Sequence, residues 1–530
     1  MIKYIKKNWR PLVFAFICSI LSAIFAVKVQ FLKGDVLDFA LSKSTGNTLR
    51  YGFYLGVFIA LELGFYYLYD ISRGRFTVNS MKEVRFDYFN NLLSRAYPSF
   101  LKKKQGEYIA QYTNEMNLIE NSFFATIPLL AEILIKIIIV SIFLFILDYR
   151  IATITLVLLT TPLYVPKLVE KKLQNAQQEF INQFESHLKL ITDWLRGFEV
   201  IKNFSIENTI REKFAESNDI TMERNFKKRH MSYLTRSISA ILSYFSHFII
   251  LAFAAYLVLK GDFTAGDFFI SIGMIDQLSY PIISLSQFIQ DLVSVKPVNK
   301  SILGFIHTET EKQGSIEISD KDFEKIEFED VSFSYEEQEF ILEHFNMEIT
   351  KGSQYLLQGV SGSGKTTSMN LLLDYYRPVA GIVKINDVPV EEIVNLNELI
   401  TVMRQDAILF EDTLRNNVTM YKDIPDSKVL EVLTKVGLHQ YANSISLGML
   451  INEGGTNLSG GERRRVTLAR SLLRETPILI LDEPLANLDE ENAKSIESEL
   501  LSITDRTMII ISHQFSKDKL AQIGKVIEFS

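Results

Sequence analysis

At 530 residues the chain is too long for one ordinary domain, and at 47% hydrophobic it is more apolar than an average soluble protein. A single cysteine, Cys18, excludes a disulfide framework, a thiolate metal site and an appended cysteine peptidase. The net charge of −7, with basic residues scattered along apolar flanks, gives no case for a nucleic-acid partner.

The chain opens on a basic stretch (Lys3, Lys6, Lys7, Arg10) followed by an apolar run from Pro11 to Leu32. That run is too long for a secretory signal core and has no clear cleavage site, so it reads as a first membrane helix. Further apolar runs at Tyr51–Tyr69, Phe123–Leu147, Ile151–Pro166, Ile238–Leu259 and Phe268–Val293 bring the expected spans to six, each near the roughly 20 residues a bilayer needs. The turns Asp148–Arg150 and Lys260–Gly266 are short and should share one side of the membrane. Asp70–Ser122 and Val165–Arg236 are long, helical in period and rich in Lys and Arg, which places them, and both termini, on the cytoplasmic side. Ionisable residues inside spans are expensive, so Glu62, Glu132, Lys136, His247, Asp276 and Asp291 mark either structural pairs or an aqueous path. Glu132 and Lys136, four apart, can share one helix face.

Apolar character fades over Lys296–Asp320, with a linker at 306–322 between a membrane domain at 1–305 and a second domain at 323–530. The second domain alternates short apolar strands with helices, as an α/β fold does. After the alternating strand Ile326–Tyr335, a short apolar run leads into Gly359-Val360-Ser361-Gly362-Ser363-Gly364-Lys365-Thr366-Thr367, which fits G-x-x-x-x-G-K-[ST] between a strand and a helix. Glycines here let backbone N–H groups wrap a polyphosphate, Lys365 reaches its terminal phosphates and the Thr366 hydroxyl can ligate Mg²⁺. The run Ile478–Leu481 ends in Asp482-Glu483. At the carboxyl edge of a parallel sheet Asp482 can hold Mg²⁺, and Glu483 can orient and deprotonate water. Between these lies Leu458-Ser459-Gly460-Gly461-Glu462 ahead of a basic helix, which is either a second anion site or a simple helix cap.

Phosphate loop, LSGGE, ILILDE, His513 after Thr507–Ile511, and Gln405 in VMRQDAILFEDTLRNN occur in one order. In that combination the chain resembles the ATP-binding cassette (ABC) transporters, and specifically exporter-type half-transporters, over essentially its whole length. The resemblance implies an all-α six-helix transmembrane domain followed by an α/β P-loop NTPase domain, with ATP and Mg²⁺ as cofactors. It implies that Tyr335 stacks on adenine, that Gln405 senses the γ-phosphate, contributes to the metal site and faces the membrane domain, and that Asp489 joins the two sites. Ser459, Gly460 and Gly461 would bind the γ-phosphate held by a partner's phosphate loop, and His513 would contact it. One copy of each motif then requires two chains, as a homodimer or as the catalytic half of a heterodimer. The stretches around Gly106-Glu107 and Arg196–Asn208 look like the family's cytoplasmic loops, whose short helices dock on the ATPase domains.

Glu462 stands where the family more often has Gln, and Asn487 where it usually has a small residue. The chain ends at Val526–Ser530, straight after a late strand, where many relatives continue into a helical tail. The expected function is ATP-driven export of a peptide, lipid or drug-like amphipathic substrate across a bacterial cell membrane, the ATPase domain being cytoplasmic. An importer on the same scaffold and an ATP-gated channel or regulator are the alternatives, since motifs do not encode direction.

Overall fold

The computed structural model describes residues 1–95, 97–308, 314–335, 339–360, 362–486, 488, 490–513, 515 and 525–529, side chains at 162–163, 165–170 and 286 aside. The chain divides into two compact units, one made of residues 1–94 and 103–308 and the other of 95–102 and 309–530.

The first unit is helical throughout its described residues. Among the described residues five helices are long and apolar enough to cross a membrane: Trp9–Leu41, Thr45–Leu93, Gln105–Leu147, Glu207–Lys260 and Ala265–His307. The expected fourth span is not one of them. Its apolar helix covers only Tyr149–Leu159, eleven residues, before a 3₁₀ turn at Thr161–Tyr164 and a new helix at Val165–Arg196. Pro162 and Pro166 account for the break, since neither has an N–H to give to the helical ladder. The 54 residues of Glu207–Lys260 span roughly 80 Å at 1.5 Å per residue, against a hydrocarbon core of about 30 Å. Such a helix reaches far beyond the bilayer, as the polar half of its sequence requires.

Two local devices set the helix ends. Asp148 caps Tyr149–Leu159, accepting from the Arg150 and Ile151 N–H groups at 2.8 and 3.2 Å. Gly261, at φ 84, closes Glu207–Lys260, and Thr264 with Asp267 forms a capping box on Ala265–Ser294. The Arg150 guanidinium then bonds Asp148 and, at 2.8 Å, Asp262, so the two short turns lie side by side as expected. Trp9–Leu41 and Ala265–Ser294 approach closely, because a Cβ on Gly266 would fall 2.6 Å from the Gly34 carbonyl. Lys296–His307, where apolar character fades, is a helix with Asn299, Ile302 and Phe305 buried.

The second unit carries two sheets. Leu342–Thr350, Lys325–Phe333, Ala380–Ile385 and Val388–Pro389 form an antiparallel sheet in that order. Ile400–Met403, Ile478–Asp482, Thr507–Ile511, Gln354–Gly359 and Lys525–Phe529 form a parallel sheet in that order. Ile478–Asp482 and Thr507–Ile511 are buried at every position, the pattern of strands covered on both faces. One core, around Phe323, Tyr355 and Ile480, fills the space between the two sheets. Another, around Leu414, Leu433, Val466 and Leu479, packs the helices Leu414–Thr419, Asp426–Lys435 and Gly460–Leu473 onto the other face of the parallel sheet. Segment 95–102, with its helix Tyr97–Leu101, belongs to this unit, the Tyr97 ring lying 4.3 Å from that of Tyr375. This helix precedes Gly106-Glu107 in the chain. Within Arg196–Asn208 the short helix is Phe198–Asn203.

Candidate nucleotide-binding and hydrolysis site

Gln354–Gly359 runs through the parallel sheet and delivers its carboxyl end directly into the Gly-rich loop, after which Lys365–Leu372 starts as a helix. Gly364 lies at φ 95, and a Cβ there would meet Leu342 Cδ2 at 2.6 Å, so the last turn before the helix admits only glycine. Gly359 and Gly362 also have positive φ, 151 and 87. The buried Lys365 ammonium donates to the Gly359 and Val360 carbonyls at 2.8 Å and to Ser363 Oγ at 3.3 Å. All three of its hydrogens are used inside the loop. A phosphate oxygen reaching it would exchange a neutral acceptor for a charged one, the stronger partner. Thr366 is exposed, and Thr367 is buried with its hydroxyl 3.3 Å from the Tyr335 hydroxyl. That contact brings Tyr335 to the phosphate-loop helix, with its ring edge-on to Phe333 and Tyr376 at 4.9 and 5.1 Å. Ser361 lies outside the described residues.

The carboxylate pair sits where Ile478–Asp482 ends. Asp482 is 7% exposed, and among the described residues no side chain donates a hydrogen bond to its carboxylate. Burial raises its proton affinity, against the pull of Arg404, Arg464 and Lys365. The buried Asp482 carboxylate and the exposed Thr366 hydroxyl on the phosphate-loop helix are oxygen donors of the kind a hard divalent cation takes. No group of three His, Cys, Asp or Glu side chains able to hold a metal occurs among the described residues.

Glu483 occupies the left-handed region at φ 52, a conformation that costs a non-glycine residue free energy and needs surrounding bonds to persist. Its N–H donates to the Ile511 carbonyl at 2.8 Å, and its carbonyl accepts from Arg464. Burial lifts the Glu483 carboxyl above its ordinary value, His513 and Arg464 drawing it down and Asp482 pushing it up. His513, half exposed, lies 3.9 Å from the Glu483 carboxylate through Nε2. A partly desolvated carboxylate of raised proton affinity beside an imidazole is suited to take a proton from water.

Sequence reasoning missed Arg464. It lies in the first turns of Gly460–Leu473 and is 5% exposed. Its guanidinium donates to the Gln405 carbonyl at 2.9 Å, to the Asp482 carbonyl at 3.1 Å and to the Glu483 carbonyl. One buried cation therefore ties the backbone of the Gln405 and Asp482-Glu483 motifs to the helix that follows LSGGE. The only available signal was its place among Arg463, Arg464 and Arg465, and periodicity alone does not say which of three consecutive arginines turns inward. Gln405 itself has an exposed side chain.

Ser459 caps Gly460–Leu473 in a reciprocal box. Its hydroxyl accepts from Glu462 N–H at 3.2 Å, and Glu462 Oε2 accepts from Ser459 N–H at 2.8 Å. The other Glu462 oxygen accepts from Tyr441 at 3.1 Å and Gln440 at 3.0 Å. Burial works to raise this carboxyl, but the bonds from Ser459, Tyr441 and Gln440 outweigh it and hold it below its ordinary value. Gly460 is exposed, Gly461 half-buried, and among the described residues no hydrogen bond or ion pair joins Ser459–Gly461 to the loop at 359–367. Asp489 lies outside the described residues.

The family profile described as "ABC transporter transmembrane region" matches residues 12–282, and that described as "ABC transporter" matches 342–486. The chain belongs to the ABC transporter family. It is 25% identical over 519 residues to the "ATP-dependent lipid A-core flippase" of Syntrophus aciditrophicus (strain SB), covering 95% of this chain and 85% of that protein. It is 27% identical over 556 residues to the "Multidrug resistance-like ATP-binding protein MdlB" of Buchnera aphidicola subsp. Acyrthosiphon pisum (strain APS), covering 99% and 93%. It is 26% identical over 513 residues to the "Lactococcin-G-processing and transport ATP-binding protein LagD" of Lactococcus lactis subsp. lactis, covering 94% and 72%. A solved structure, "Structure of a bacterial Atm1-family ABC exporter with ATP bound", superposes with a TM-score of 0.82 at 19% identity, covering 98% of this chain and 93% of that one, and so shares its fold. With one transmembrane region fused to one ATPase region, this ABC transporter chain is an exporter-type half-transporter, a multi-pass membrane protein that binds ATP and couples its hydrolysis to export.

Proposed function

We propose that two copies of this chain, or this chain and a homologous partner, form an exporter that moves a peptide, lipid or drug-like amphipathic molecule outward across a bacterial cell membrane, with both ATPase domains cytoplasmic. The carrying observation is the convergence of Asp482, Glu483, His513 and Arg464 at the carboxyl end of the strand beside the phosphate-loop strand's neighbour. Domain bounds of 1–305, 306–322 and 323–530, and six crossings with the fourth split at Thr160–Tyr164, complete the proposed layout.

In this reading Tyr335 stacks on adenine, while Lys365 and the N–H groups of Gly359, Ser361, Gly362, Ser363, Gly364, Thr366 and Thr367 hold the phosphates. Thr366, Asp482 and the Gln405 side chain would hold Mg²⁺, which when bound neutralises phosphate charge. Glu483 takes the proton from attacking water, held in its strained conformation by the Ile511 and Arg464 bonds. His513, opposite the same carboxylate, supports the γ-phosphate. Ser459, Gly460 and Gly461 complete the site of the other chain, and Asp489 joins the two sites. Two bound nucleotides favour the closed ATPase pair and the outward-open helices, and hydrolysis releases that bias.

Substrate breadth is supported by three relatives whose names point to a lipid A core, a bacteriocin and multiple drugs. The test is ATP-dependent uptake of labelled amphiphiles into inside-out vesicles. Accumulation that needs Glu483 is expected. Uptake only into right-side-out vesicles would reverse the direction, and ATP-dependent conductance without accumulation would refute transport.

A further inference from the structure

A cleft of about 510 Å³ opens between the helices Glu207–Lys260 and Ala265–Ser294, walled by Tyr244, His247, Phe248, Ile275 and Asp276 among others. Its volume falls within the roughly 300–1,000 Å³ of small-molecule sites, and its wall combines apolar and aromatic surface with two ionisable groups, the usual composition of such sites. Both ionisable groups are deep. His247 lies 13 residues before the turn at Lys260 and Asp276 lies 11 after Ala265, which at 1.5 Å per residue puts them roughly 20 and 16 Å from that end of the bundle. In a hydrocarbon layer of about 30 Å that is near the midplane, where an ionisable side chain is costly and faces a cavity or a partner.

The histidine is held by its own helices. Nδ1 lies 2.8 Å from the Ser243 carbonyl, which can only accept, so Nδ1 carries a hydrogen. Nε2 lies 2.9 Å from Ser279 Oγ, whose hydroxyl also reaches the Ile275 carbonyl at 2.8 Å. The ring faces Asp276 Oδ1 at 3.9 Å. His247 thus has both nitrogens engaged within the chain and is 30% exposed, whereas the Asp276 carboxylate is 70% exposed in the cleft. The group on offer to a ligand is the negative one.

We propose that this cleft binds an organic cation with an apolar body. Asp276 supplies the counter-charge, and the Tyr244 and Phe248 rings supply apolar contact and cation–π attraction. An accessible carboxylate in an apolar wall rejects anionic amphiphiles for the same reason that it attracts cationic ones. The assignment rests on the exporter reading for its meaning, since it names the substrate class of the membrane unit.

The test is equilibrium binding to the full chain in nanodiscs of neutral lipid, using labelled tetraphenylphosphonium and the similarly shaped anion tetraphenylborate. Saturable binding of the cation alone is expected, weakened at least ten-fold by Asp276→Asn and returned to within three-fold by Asp276→Glu. Should Asp276→Asn not insert, Tyr244→Ala with Phe248→Ala must weaken binding at least five-fold. Non-saturable cation binding, equal binding by Asp276→Asn, equal saturable binding of the anion, or no effect of the double aromatic variant each overturns the proposal. A chain that binds the cation yet never transports would refute the exporter reading alone, and one that hydrolyses and transports without binding it would refute this site alone.

Discussion

The two units place their chemistry in different ways. In the ATPase unit each motif is built locally, Lys365 bonding carbonyls five and six residues back and Ser459 and Glu462 capping each other across three, while Arg464 joins the finished motifs across 18 and 59 positions. In the membrane unit the groups that matter are distant. Arg150 reaches Asp262 across 112 positions, and His247 reaches Ser279 across 32. A site made of short loops at strand ends travels as a motif, whereas a site made of helix faces exists only once the helices have packed. The comparison therefore separates local determinants, which single substitutions should damage sharply and predictably, from distributed ones, which they should damage in small steps.

The sharpest way to break that contrast is Glu483→Gln. Loss of general-base action is worth about 10²–10⁴ in rate, so ATPase activity should fall by at least 100-fold while nucleotide binding persists. Undiminished turnover would remove Glu483 from the chemistry. The same carboxyl has a pH signature. Because burial first of all keeps its proton on to higher pH than in an ordinary glutamate, the base form appears only above that raised value. The acid limb of the kcat profile should then lie above pH ~4.3, the ordinary glutamate value, and a limb at or below it would contradict the burial argument.

Arg464→Lys comes next. Lysine keeps the charge but cannot span three carbonyls in one plane, so kcat should fall about 10- to 100-fold with ATP affinity within about three-fold. The magnitude corresponds to one charge-assisted hydrogen bond of about 1.5–3 kcal/mol. Equal losses in binding and in rate would mean that Arg464 only holds the fold. For Tyr335→Ala, base stacking worth about 1–3 kcal/mol implies a 5- to 100-fold loss of ATP affinity. Tyr335→Phe, which loses only the Thr367 contact, should cost less than three-fold, and parity of the two variants in nucleotide titration would exclude stacking.

The smallest effect belongs to Glu462→Gln. Tyr441 can reverse its hydroxyl and Gln440 can turn its amide, so a glutamine can replace the carboxylate with every bond remade. ATPase activity should change less than about two-fold, and a ten-fold loss would show that the charge itself is needed. In the membrane unit, Asp262→Asn removes one arm of a partly exposed pair, worth about 0–1 kcal/mol. A large drop in melting temperature would make that turn far more important than its geometry suggests.

These contrasts also explain what the amino-acid sequence made legible. The strand–loop–helix around Lys365, the buried run ending at Asp482, and His513 after Thr507–Ile511 are each announced by a local change of pattern. Five of the six apolar runs are helices long enough to span, and Glu132 pairs with Lys136 at 3.6 Å, as four-residue spacing allows. The break within the run at Ile151–Pro166 was not legible because hydropathy does not register the prolines that end its helix. Arg464 was invisible because its partners are backbone carbonyls, which carry no residue identity. The His247–Asp276 pairing could not be read either, because it depends on the rotation of two helices about their own axes.

The most direct measurement is ATPase activity of the purified chain alone in lipid nanodiscs, with the particle mass determined on the same sample. Robust hydrolysis by particles holding two copies, abolished by Glu483→Gln, is the expected result. Full activity in particles holding one copy would contradict the shared site, and with it the division of labour between Lys365 of one chain and Ser459 of the other.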